Sequence, residues 1–327
     1  MIRSSRTKRM GMLAVAAVAG ALLLTPAGWA AEPGKLTPIS IGVGPNLSSL
    51  DVWLAQKKGY FRAAGLEVNV VILTAGSQAV PQLLGGQLHF AAVDTAVTVT
   101  GRAKSVPIIM TAQNIVGAPN PERGYANLLV PANSPVHKLS ELAGRAIAVN
   151  QINGSAWALT RATLDNAGVD SSKVKFIEVP PPQLLAALEQ GRADAAVIAE
   201  PNASLGVSQG MRVLANVEAT SVPGVPVFTF ISSEAWARAN PEIVRRFNEI
   251  MLRANAEING NRAEAIEIAK TATKIPHDVL PKAFFPIFGT TPFDPAQLQK
   301  FVDLTVKYGL VPADKAPAPS TLYYSGR

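Results

Sequence analysis

Gly86-Gln87-Leu88-His89-Phe90-Ala91-Ala92-Val93 returns in chemical outline about 105 residues later as Gly191-Arg192-Ala193-Asp194-Ala195-Ala196-Val197-Ile198, the mark of an internal repeat. In both copies a glycine ends a short helical stretch, Gln78–Leu84 and Gln183–Gln190, and a small apolar run reads as a buried strand. The match extends backwards. Leu66-Glu67-Val68-Asn69-Val70-Val71 and Val174-Lys175-Phe176-Ile177-Glu178-Val179 both alternate as half-buried strands. Ala64-Gly65 and Ala167-Gly168 precede them, as the ends of helices predicted over Ser49–Ala64 and Ser155–Ala167. Farther back, Ile39–Val43 and Arg145–Asn150 are the opening strands. The chain thus holds two β-α-β-α-β units in tandem. Alternating strands and helices predict parallel sheets covered on both faces. Right-handed crossovers place the strand-end loops of each unit on one edge.

Beyond about residue 233 the pattern is helical. Asn240-Pro241 and Asp294-Pro295 pair an N-cap with proline at the first helical position, opening helices over Pro241–Asn259 and Ala296–Tyr308. Ala263–Thr273 and His277–Phe285 are shorter helical candidates, and Val225–Ile231 is a β-rich run ahead of them.

The 327 residues hold 30 basic and 23 acidic side chains, a net charge of +7. Arg3, Arg6, Lys8 and Arg9, the apolar run Gly11–Leu24 and the small-residue pattern before Ala31 read as a signal peptide over residues 1–30. Its removal leaves 26 basic against 23 acidic, scattered without stripes, so nucleic-acid binding has no support. No cysteine follows the apolar run, which excludes a lipoprotein anchor, and the absence of cysteine throughout excludes disulfides, thiol nucleophiles and iron–sulfur ligands. His89, His137 and His277 are isolated, so neither a metal nor any other cofactor is expected. Together these readings predict a protein of a bacterial periplasm or cell exterior, and export argues against an activity that needs cytosolic ATP or NAD.

Gly59-Tyr60-Phe61 with Gly65-Leu66-Glu67-Val68 resembles the nitrate/sulfonate/taurine-type substrate-binding proteins of ABC importers. So do Leu83–Phe90, its echo Leu188–Ala195, and Leu139–Val149. The resemblance implies an α/β, two-lobed type II periplasmic binding fold joined by a two-segment hinge. Residues 31–127 would build the first part of lobe I, 128–221 lobe II, and 222–327 the return crossing and the helical completion of lobe I. It also implies a monomer that captures a small solute and delivers it to an ABC permease and ATPase at the inner membrane.

Facing strand-end loops are where open parallel sheets bind ligands. Those of the first unit supply Asn46, Leu47, Ser48, Thr74, Gly76, Ser77, Asp94 and Thr95. Those of the second supply Asn150, Asn153, Gly154, Ser155, Trp157 and Glu200. Their hydroxyls, amides and helix N-termini suit an oxyanion, and among the solutes that the resemblance implies this favours a small organic anion such as a sulfonate, taurine or another organic acid. Asp94 and Glu200 suit an amino group instead, or else cap helices. Trp157, Tyr125 and Phe228 are candidate apolar walls. Gly206-Val207-Ser208-Gln209-Gly210 has the spacing of a hydrolase elbow in the wrong context, a helix before it and a strand after. Two other functions compete: an enzyme on the same fold, similar to pyrimidine-precursor synthases but lacking their cysteine-rich motif, and a sensory receptor domain.

Overall fold

Ile39, Ile41 and Val43 are buried along one extended run, Thr37–Val43, which forms β1. The computed structural model describes residues 36–73, 76–119 and 124–326, so the expected signal peptide and Thr74 lie outside the described residues. From β1 the chain runs through α1 (Leu50–Lys57), α2 (Tyr60–Ala63), β2 (Leu66–Ile72), α3 (Ala79–Leu84), β3 (Phe90–Asp94), α4 (Thr95–Ala103), β4 (Ile108–Gln113) and a short β5 (Ile115–Val116). It then builds β6 (Ala126–Val130), β7 (Ala146–Val149), α5 (Ser155–Asn166), β8 (Lys175–Glu178), α6 (Leu184–Glu189), β9 (Ala195–Ala199), α7 (Asn202–Ser208) and β10 (Arg212–Asn216). It returns through β11 (Phe228–Ser233) to α8 (Glu234–Ala239), α9 (Pro241–Gly260), α10 (Arg262–Ala272), β12 (Ile287–Phe288) and α11 (Pro295–Lys307).

Two five-stranded sheets result, one per lobe. Their orders are β2-β1-β3-β11-β4 and β8-β7-β9-β6-β10. β1 pairs parallel with β2 and β3, and β7 pairs parallel with β8 and β9, so the repeated units fold alike. In each sheet the next strand, β11 or β6, runs antiparallel to the third and follows a crossing between lobes. The crossings are laced together: Gly117 N–H donates to the Val225 carbonyl at 2.8 Å, and Val227 N–H to that of Ile115 at 2.9 Å. A Cβ on Gly117 would stand 2.5 Å from the Val222 carbonyl oxygen, so this close approach requires glycine.

The third section completes the first core. Phe247 of α9 stacks on Phe90 of β3 at 3.8 Å between ring centroids and meets Phe230 of β11 edge-on at 5.2 Å. α11 packs on α4 of lobe I and also on α5 of lobe II. At that seam the Tyr308 hydroxyl donates to Asp165 Oδ2 at 2.7 Å. The Arg161 guanidinium lies 4.9 Å from the Trp157 ring centre and 4.8 Å from that of Tyr308.

Three expectations need correction. The helix expected over Ser49–Ala64 is split, because Gly59 adopts φ +72° and ends α1 before α2 begins. His277–Phe285 forms only a 3₁₀ turn at Leu280–Lys282, since Pro281 supplies no N–H for a continued helix. Asp294 caps α11 by accepting from Ala296 N–H at 2.8 Å. Asn240 does not cap α9: its amide donates back to the Trp236 carbonyl, closing α8.

Candidate functional site

β3 ends at Asp94 and α5 begins at Ser155, on the facing rims of the two lobes. Asp94 is placed by α4, whose first free N–H, that of Ala96, donates to Asp94 Oδ1 at 2.8 Å. The Ser155 hydroxyl donates to the same Asp94 oxygen from across the gap. One carboxylate therefore ties the N-termini of α4 and α5 together, where both helix dipoles favour negative charge. Burial raises its pKa to about 6, with hydrogen bonds from Ser155 and Ala96 holding it below where burial alone would put it.

Behind this contact lies a cavity of about 160 Å³. Asn46, Asp94, Val227 and Phe228 face it from lobe I and the return crossing. Asn150, Ser155, Ala156, Leu159, Pro181, Leu184, Val197 and Ala199 face it from lobe II. Tyr125, Ala126 and Glu218, beside the outward and return crossings, complete the lining. Tyr125 meets Phe228 edge-on at 5.7 Å. Burial raises the Tyr125 phenol well above its usual range, the nearby Glu218 charge adds to this, and a hydrogen bond with Ser48 opposes both. An apolar cavity of ~150 Å³ holds benzene, so this space takes one ring-sized solute.

Six of the predicted residues, Asn46, Asp94, Asn150 and Ser155 with the walls Tyr125 and Phe228, come together on this lining. The others do not. Leu47 is fully buried in the core, because the turn that Asn46 caps aims it inward. Ser48 is buried and gives its hydroxyl to Asn46 Oδ1 at 2.6 Å. Gly76 and Ser77 lie exposed on a 3₁₀ turn away from the cavity. Thr95 is buried and its N–H bonds the Val227 carbonyl at 3.0 Å. Asn153 is exposed at φ +61°, and Gly154 is the extended residue before α5. Trp157 points to the α11 seam. Glu200 accepts from Ser204 N–H at 3.2 Å and from Ser204 Oγ at 3.0 Å, which makes it a cap of α7.

Sequence reading missed Glu218. It follows β10 in the return turn, outside the repeated pattern, and its N–H is held by Asn216 Oδ1 at 3.0 Å. It is 2% exposed, and its Oε2 has no partner among the described residues. Burial raises its pKa to about 8; the Tyr125 and Ala126 backbone N–H groups favour its charged form, while the Asp94 charge opposes it.

A larger cavity, of about 560 Å³, lies at the edge of the first sheet between α9 and the C-terminal segment. Its lining comes from lobe I alone, and its cation, Arg245, is already paired with Glu242 and Glu249. Ser208 ends α7 and donates to the Leu205 carbonyl at 2.7 Å, with β10 following, so it forms no nucleophile elbow. Among the described residues no group of three or more His, Asp or Glu side chains is placed to hold a metal ion. No described helix is long and apolar enough to cross a membrane.

The family model described as NMT1/THI5 like matches residues 46–265. A Bacillus subtilis (strain 168) protein named for binding aliphatic sulfonates is 27% identical over 225 residues, which are 67% of this chain and 65% of that relative. The chain therefore spans just under two thirds of that relative's length. The taurine-binding periplasmic protein of Escherichia coli (strain K12) is 23% identical over 213 residues, 64% of this chain and 63% of the relative. The structure superimposes on the alkanesulfonate-binding protein SsuA from Xanthomonas axonopodis pv. citri bound to MOPS with a TM-score of 0.73, at 21% identity, covering 89% of this chain and 99% of that one.

Proposed function

The chain belongs to the NMT1/THI5-like family, and from that premise we propose that it is an exported solute-binding protein of an ABC importer. The supporting observation is the cavity between the lobes, lined from both sides and bridged by Asp94 and Ser155. A solute in that space contacts both rims at once, so its binding energy favours the closed arrangement. Opening about the laced crossings would release it. In this reading residues 1–30 are removed on export, and the protein acts as a monomer. It takes a small organic solute in the periplasm and passes it to a permease and ATPase at the inner membrane. Relatives named for sulfonates and taurine support an organic molecule with a sulfonate or carboxylate head. Asn46 and Asn150 offer side-chain amide donors for such a head. No step of bond making or breaking is part of this reading.

A thermal-shift screen of sulfonates, carboxylates, amino acids and pyrimidines tests it. A specific binder at a hundredfold excess over Kd adds ~2.7 kcal/mol of stability. The same compound should be recovered unchanged by mass spectrometry. Recovery of a converted product would instead identify an enzyme.

A further inference from the structure

We propose that Glu218, with Asp94 on the same lining, forms a subsite for a protonated nitrogen, so that the captured solute carries an amine or amidine. This rests on the solute-capture reading and assigns the chemistry of one end of the ligand. Glu218 is 2% exposed, lines the cavity, and has an oxygen with no hydrogen-bond partner among the described residues. A buried polar atom left in that state is costly, and a donor delivered by the ligand removes the cost. Asp94 stands close enough for its charge to act on Glu218, and Ser155 and Ala96 already donate to it. Among the described lining residues there is no Lys or Arg.

An ammonium or amidinium brings both the positive charge and the donors that this lining lacks. A bare sulfonate or carboxylate brings acceptors to a place that already holds two acidic groups. Leu159, Leu184 and Phe228 receive the apolar body of the solute. Among the described residues the titratable groups facing Glu218 are Asp94 and Tyr125; the Asp94 charge disfavours a second negative charge there, while the Tyr125 phenol stays neutral. A cationic ligand therefore drives a proton off Glu218 as it binds near neutral pH, whereas an anion draws protons in.

The test uses shape-matched pairs: taurine against ethanesulfonate, 4-aminobutyrate against butyrate, and benzamidine against benzoate. Each is titrated calorimetrically and by thermal shift into the protein and into Glu218→Gln. The nitrogen-bearing member is expected to bind at least about tenfold tighter. Glu218→Gln should bring the pair within about twofold. Heats measured at pH 7 in two buffers of different ionisation enthalpy should report proton release. A partner without nitrogen that binds as tightly, or a preference that survives Glu218→Gln, overturns the subsite and leaves solute capture standing. No heat and no thermal shift from any compound, with either protein, overturns both readings.

Discussion

Glu200 and Glu218 show how two buried carboxylates of the same lobe differ in what they can do. Glu200 follows β9, as the small apolar run ahead of it predicts for a rim residue, and it is 3% exposed. Both of its oxygens accept from Ser204, so its bonds are made within the protein. Glu200→Ala is expected to cost about 1 kcal/mol in urea unfolding through loss of the α7 cap, and to leave solute affinity unchanged. A tenfold loss of affinity in calorimetry would restore it to the site. Ser155→Ala removes a side-chain donor that reaches Asp94 from the other lobe. Small-angle scattering of that variant should show a larger radius of gyration, because only the backbone N–H of residue 155 is left to bond Asp94 across the gap. Asn46, Asp94, Asn150 and Ser155 were legible because each stands where a strand pattern gives way to a helix start. Leu47 and Thr95 stand in equally suggestive places, but one turn of backbone aims them into the core. Glu218 was not legible, because nothing in its local sequence marks a return turn as a cavity wall.

At the scale of elements, the six strands of the repeat were readable from alternation and from glycine ends. β4, β6 and β10 were harder to read, since they lie outside the repeated pattern. β11 has no counterpart signal nearby, and only pairing with β3 and β4 shows that a crossing segment becomes a central strand. Gly59 and Gly65 both read as helix-ending residues, yet sequence reading used only the second. The crossings supply a sharp test. Gly117→Ala places a methyl group against the Val222 carbonyl, and backbone on both sides cannot yield as a side chain would. Destabilisation of about 1–3 kcal/mol is expected, measured by urea unfolding. An unchanged midpoint would show that the two crossings slide apart without cost.

For the whole molecule, the duplication made two lobes predictable, while the distance between them could only come from the folded chain. The folded chain also carries an unusual reserve of protons. Burial raises Asp51 to about 7, Asp94 to about 6, Glu200 to about 7 and Glu218 to about 8. The unfolded chain releases the same protons near 3.8 or 4.5. Between those values the folded state binds more protons, so its stability is greatest at the acidic end and falls as pH rises through the folded pKa values. Carboxylates held low by surface partners, such as Glu234, act in the opposite sense only below their ordinary range. Calorimetric scans should give a Tm at pH 5.5 at least about 3 °C above that at pH 8.5. Glu218→Gln should flatten the slope; a Tm that climbs with pH over this range would contradict the burial of these acids.

The seam of α11 makes the protein its own optical gauge. Trp157 is 8% exposed and shares the Arg161 cation with Tyr308, which belongs to the other half of the molecule. Spreading the halves pulls that phenol away and wets the indole, shifting its emission toward the red. Trp53 and Trp236 stay within one half, in α1 and α8, and would serve as a steady background. Opening and shutting can thus be followed in unlabelled protein by the colour of one ring.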